Sequence, residues 1–147
     1  MAKANTIVKV FIALAALAAG GAAPLGGAAA QSLKEIRARE NEERALDREV
    51  AYTEQVCGSS ITASIDWRSA VNWPEGRSLA ASCDGALGAL ESICRSKDGK
   101  NRGRKVSRFV CGGDGAGPSL RGGTLRFGAS PNGNGFAATK SLLDSKL

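Results

Sequence analysis

Hydrophobic and polar positions divide this chain into segments of different period. Residues 60–67 alternate, with Ile61, Ala63, Ile65 and Trp67 on one face and Ser60, Thr62, Ser64 and Asp66 on the other. A period of two predicts a half-buried strand. Cys57 shares the apolar parity, so a strand reaching back that far points it inward. Asn72-Trp73-Pro74-Glu75-Gly76 interrupts the pattern as a loop. From residue 79 to 95 the period lengthens: Leu79, Cys83, Ala86, Leu87, Leu90, Ile93 and Cys94 recur every three or four positions. They form one stripe on a helix, with Ser78 placed to cap it and Gly99 to stop it. The opposite side carries Ala81, Gly85, Gly88 and Ser92, a smooth surface that is either exposed or approached closely by another helix.

Residues 105–111 read as a second strand, Val106 and Val110 on one side, Phe109 and Cys111 on the other. A glycine-rich turn over 112–118 leads to a third strand over 120–127, in which Leu125 and Phe127 share a face. Asn132-Gly133-Asn134-Gly135 is a turn, and Phe136, Leu142, Leu143 and Leu147 predict a short closing helix. Ahead of all these, residues 32–55 are rich in Glu, Arg and Ala and contain neither Gly nor Pro, which predicts a helix. Pairs such as Glu40 with Arg44 support it by a few tenths of a kcal/mol each. Leu33, Ile36, Leu46 and Val50 are too sparse for a sustained heptad stripe, so this helix reads as a solvated spacer; docking on a partner or a second copy is the alternative. The fold class expected is α+β, a small disulfide-linked β-α-β-β-α domain over 57–147 preceded by a charged helix over 31–56.

Residues 1–30 have the pattern of a secretory signal. Lys3 and Lys9 begin it, an apolar run occupies 10–19, and Ala28-Ala29-Ala30 precedes Gln31 as a small-residue cleavage site. A membrane anchor would need roughly 20 continuous apolar residues, and here Gly20, Gly21, Pro24, Gly26 and Gly27 interrupt the run. The expected location is therefore the periplasm or outside the cell, with no spanning segment after cleavage. In that redox regime the four cysteines predict two disulfides, for which three pairings exist. Cys83 and Cys94 lie eleven residues apart on one helix. That places them roughly 16 Å apart along the axis, beyond the ~7 Å Cα separation a disulfide tolerates. If the flanking strands and the helix form a βαβ crossover, Cys57 meets Cys94 and Cys83 meets Cys111. Strands running the other way would give Cys57 with Cys83 and Cys94 with Cys111.

The chain has no histidine, which excludes histidine-based metal sites and histidine-assisted nucleophiles. The cysteines lack the close pairs of zinc or redox motifs, so neither metal nor cofactor is expected. Net charge is +6, and residues 57–147 alone carry thirteen basic and seven acidic residues. The excess concentrates in Arg95, Lys97, Lys100, Arg102, Arg104, Lys105 and Arg108, opposed only by Asp98, a cluster suited to anionic polymers or lipid head groups. Trp67 and Trp73 are candidates for a stacking platform, although Trp67 continues the apolar strand face. Asp66, Glu75, Asp84, Glu91 and Asp114 supply carboxylates that sequence does not bring into one cleft. The run Gly112-Gly113-Asp114-Gly115-Ala116-Gly117 lacks the lysine and hydroxyl of a phosphate loop. No catalytic constellation emerges. The function expected is that of an exported binding or structural protein meeting a protein or other envelope partner, with polyanion binding through residues 95–108 as the alternative.

Cys57-Gly58, Ile65-Asp66-Trp67, Cys83, Cys94, Val110-Cys111-Gly112 and Gly122-Gly123-Thr124-Leu125 resemble small exported bacterial four-cysteine proteins of uncharacterised function. The resemblance covers 57–147 and implies export and disulfides, with no activity or site attached.

Overall fold

Strand and helix periods of the sequence become two layers, a four-stranded sheet with helices on one face. The computed structural model describes residues 26–147. The signal-like segment lies outside them except for residues 26–30, whose backbone begins the first helix. In chain order the elements are α1 (Gly26–Cys57), β1 (Thr62–Asp66), α2 (Leu79–Cys94), α3 (Gly99–Gly103), β2 (Arg108–Gly112), β3 (Gly117–Arg121), β4 (Thr124–Gly128) and α4 (Phe136–Lys146). The fold is α+β, with an additional strand and the short α3 beyond the expected set.

The alternating segment forms β1, and the β1-α2-β2 crossover makes β1 and β2 parallel, Thr62 opposite Arg108 and Ile65 opposite Cys111. The sheet order is β1-β2-β4-β3, with β4 parallel to β2 and antiparallel to β3. The single strand expected over 120–127 is instead a hairpin. Gly122 and Gly123 both have positive φ, 51° and 74°, and join Arg121 to Thr124 in a two-residue turn. That backbone suits the right-handed twist of flanking strands, and only residues without a Cβ adopt it cheaply twice in succession. Leu125 and Phe127 do share the core face.

α2 begins at the expected cap: Ser78 Oγ accepts the Ala81 amide at 3.1 Å. It ends at Cys94, ahead of Gly99, which opens α3 instead of stopping α2. Its apolar stripe is fully buried in a core shared with the sheet and α1. The opposite, smooth side admits α4: a Cβ on Gly85 would lie 2.0 Å from the Asn134 carbonyl oxygen, and one on Gly88 would touch Phe136 at 3.7 Å. Leu143 and Thr139 of α4 are buried there.

The charged helix differs most from its sequence reading as a spacer. Residues 32–41 are exposed, Leu33 at 55%, but Leu46, Val50, Thr53 and Cys57 recur at helical spacing and enter the same core as α2. Their 4-3-4 spacing over twelve residues is a short stripe that an apolar count misses, because Thr53 is polar and Cys57 reads with the following strand. Each fully buried leucine contributes about 1.5–3 kcal/mol. Glu42 of α1 accepts hydrogen bonds from the Ser78 hydroxyl (2.9 Å) and the Ala80 amide (2.8 Å), so α1 supplies a carboxylate to the positive N-terminal end of α2. Further along, Thr53 donates to Glu91 at 2.9 Å.

The disulfides join Cys57 to Cys94 (Cα separation 5.0 Å) and Cys83 to Cys111 (5.9 Å). These are the pairs that a βαβ crossover selects, because α2 runs against both of its flanking strands. One bridge closes each end of α2.

Candidate functional site

Contacts along the helical layer give it a direction. Glu42 meets the start of α2 and Cys57 meets its end, so α1 and α2 run the same way. Asn134 and Phe136 lie beside Gly85 and Gly88, while Asp144 lies beside Arg102, so α4 follows the same direction. Three helix C-termini therefore gather at one end of the molecule. The N-terminus of α2 and the C-terminal ends of the parallel strands lie at the other.

At the second end, the loop between β1 and α2 carries Trp67, Val71, Trp73 and Arg77 against α1. Together with Arg39 and Asn41 they line a groove of about 580 Å³. Trp67 Nε1 donates to Glu43 Oε1 at 2.9 Å, and the Arg39 guanidinium sits over the Trp67 ring, 5.3 Å from its centroid. Trp73 Nε1 donates to the Arg77 carbonyl at 2.9 Å, and Arg77 in turn donates to the Pro131 carbonyl. Both indoles are half-buried against the core. Their polar edges are satisfied within the chain, so what they offer a ligand is apolar surface. Trp67 is occupied by its cation, which leaves Trp73 and the 80% exposed Val71 as the groove's open apolar wall.

The basic cluster lies at the helix C-terminal end, and much of it is spoken for. Arg104 Nε donates to the Gly58 carbonyl just beyond α1 (3.3 Å), and Lys105 Nζ donates to the Leu147 carbonyl after α4 (2.8 Å). Arg102 pairs with Asp144 at 3.6 Å. Arg95 caps α2, bonds Glu91 and the Tyr52 hydroxyl, and lies over the Tyr52 ring. Helix C-termini carry partial negative charge, so these cations compensate three converging dipoles. Among the described residues, Lys97, Lys100 and Arg108 make no side-chain hydrogen bond or ion pair. Lys100 lines, with Tyr52, Arg95 and Asp98, a second groove of about 720 Å³.

A third grouping was not legible beforehand. Arg126 of β4 bridges Asp114 (Nη2 to Oδ2, 2.7 Å) and Asp66 (3.5 Å) above the C-terminal ends of the parallel strands. Hydrogen bonding from Arg126 holds the Asp114 carboxyl below its ordinary pKa, and the same bond raises that of Arg126. Asp66 and Asp114 thus share one partner, a neutralising arrangement, and no sequence spacing links residues 66, 114 and 126. The other carboxylates lie apart: Glu91 is bonded to Thr53 and Arg95. Asp84 faces Glu49, whose carboxyl is pushed up by partial burial first and by the Asp84 charge second. Among the described residues no cluster of three or more acidic or cysteine side chains is arranged to hold a metal, and no helix is long and apolar enough to cross a membrane.

No protein-family model, no curated protein and no solved structure matches this chain.

Proposed function

We propose that this chain is an exported binding protein of the bacterial envelope, working in the periplasm or outside the cell, and that the groove beside Trp73 receives a sugar ring. The signal-like pattern of residues 1–30 and the two disulfides support export. The observation that carries the binding reading is the open indole wall of the groove, whose N–H is already bonded to Arg77, next to the polar side chain of Asn41. An aromatic face flanked by a few hydrogen-bonding groups suits a ring with one apolar side and a hydroxylated rim. The chain has two tryptophans, so intrinsic fluorescence reports this groove directly. Titration with a soluble N-acetylglucosamine oligomer should quench it, and Trp73→Ala should weaken binding about tenfold, the upper end of what one aromatic contact supplies. Equal affinity in the variant would end this reading.

The second reading, polyanion binding by the 95–108 cluster, is favoured by Lys97, Lys100 and Arg108 having no side-chain partner among the described residues. It predicts salt-sensitive retention on immobilised heparin that drops when Lys97, Lys100 and Arg108 become Ala; unchanged retention ends that reading.

A further inference from the structure

Successive strand residues point to opposite faces of a sheet. Phe109, Cys111, Leu125 and Phe127 take the core face, which leaves the outer face to their polar neighbours. The register sets Thr62 opposite Arg108, Arg108 opposite Thr124, and Thr124 opposite Arg121. These four residues form one row across all four strands: hydroxyl, guanidinium, hydroxyl, guanidinium. At the usual strand spacing the row is about 14 Å long. Thr62, Arg108 and Arg121 are exposed and Thr124 is half-exposed. Among the described residues none of their side chains has a hydrogen-bond or ion-pair partner. Parallel strands are ordinarily covered on both faces, and here the uncovered face of β1, β2 and β4 is polar, so it is not a hydrophobic surface missing its lid.

Charge on this face is lopsided. At the strands' C-terminal ends Arg126 is neutralised by Asp66 and Asp114. At the N-terminal ends Arg108 and Arg121 pair with no carboxylate among the described residues. Arg102, Arg104 and Lys105, in contrast, are bonded to α4 or to the carbonyls that follow α1 and α4.

We propose that this row is a contact surface for an acidic polysaccharide. Anionic groups of an extended chain meet Arg108 and Arg121, and its hydroxyls meet Thr62 and Thr124. Charged and hydroxyl donors side by side in one row match a polymer whose every unit carries both a carboxylate and hydroxyls. The outer face has no aromatic side chain on which nucleic-acid bases would stack. Val110 is its one large apolar side chain, too little to insert into a membrane. This inference deepens the second reading above by naming its surface and its ligand class.

The test is calorimetric titration of the disulfide-bonded chain with polygalacturonate at low ionic strength, alongside dextran, a single-stranded oligonucleotide and anionic phospholipid vesicles. Arg108→Gln with Arg121→Gln should weaken polygalacturonate binding about fivefold, as expected for two exposed ionic contacts. Thr62→Val with Thr124→Val keeps the β-branched shape and should weaken it about twofold. Replacing Arg102, Arg104 and Lys105 by Gln should change it less. If the unsubstituted chain does not bind polygalacturonate, this inference falls, and the polyanion reading falls with it only if heparin is not retained either. If binding depends on Arg102, Arg104 and Lys105 but not on Arg108 and Arg121, the inference falls while the polyanion reading stands. Tighter binding of the oligonucleotide or the vesicles through Arg108 and Arg121 would overturn the polysaccharide assignment.

Discussion

The two ends of the helical layer use arginine in contrasting ways. At the end where three helices terminate, Arg95, Arg102 and Arg104 attach to carbonyls, to Tyr52 and to acidic side chains, and their charge offsets the helix dipoles. At the tryptophan end, Arg39 covers an indole and Arg77 ties the loop to Pro131, while Glu42 supplies the opposite charge that the α2 N-terminus requires. A dense run of basic residues is therefore not in itself a binding site. What remains for a ligand is the charge that the fold leaves unopposed, and on the outer sheet face that is Arg108 and Arg121.

Each end is also closed by its own disulfide, and removing either is among the largest perturbations expected. The bridges span 37 and 28 residues, loops of nearly equal closure entropy. Cys57→Ser with Cys94→Ser, or Cys83→Ser with Cys111→Ser, should each lower unfolding free energy by about 3–4 kcal/mol in urea titrations. A loss confined to one pair would mean that the two ends are not equivalently pinned. Comparable in size is Leu46→Ala, about 2–5 kcal/mol, because Leu46 is 1% exposed beside α2. Leu33→Ala, on the exposed stretch of α1, should leave the urea midpoint within error; equal effects would dissolve the distinction between the two halves of α1.

Smaller effects separate the two carboxyl environments by pH. The folded-state pKa of Asp114 is depressed by Arg126, so its contribution exists above the ordinary carboxyl range and disappears as pH falls through the depressed value. Glu49 behaves oppositely: its pKa is raised by burial and by Asp84, so its contribution exists in acid and is lost as pH rises through the raised value. At neutral pH, Asp114→Asn should lower the thermal midpoint slightly and Glu49→Gln should raise it slightly. Shifts of the same sign in both variants would contradict this pairing of causes.

Most local structure was legible because it depends on neighbours two to four residues away. The period of two made β1, the stripe from Leu79 to Cys94 made α2, and Ser78 capped it, all from adjacent chain. The hairpin within residues 117–128 was missed because Gly122-Gly123 was absorbed into a run of alternating residues, although a paired glycine between two such runs is itself a turn signal. The candidate sites were less legible. Trp73 was recognisable as a residue type, but its wall role requires α1 to pass alongside the loop, and Arg121 drew no notice because its partners in the row are up to 59 residues away in sequence, at Thr62.

By itself the sequence determined the periods, the Ser78 cap, the oxidised cysteines and the positive charge, since these are properties of residue type and short spacing. Tertiary structure alone decided that α1 joins the core, that Asp66 and Asp114 share Arg126, and that Arg108 and Arg121 fall in one row. Those outcomes depend on strand register and helix direction, which arise from packing between residues far apart in the chain.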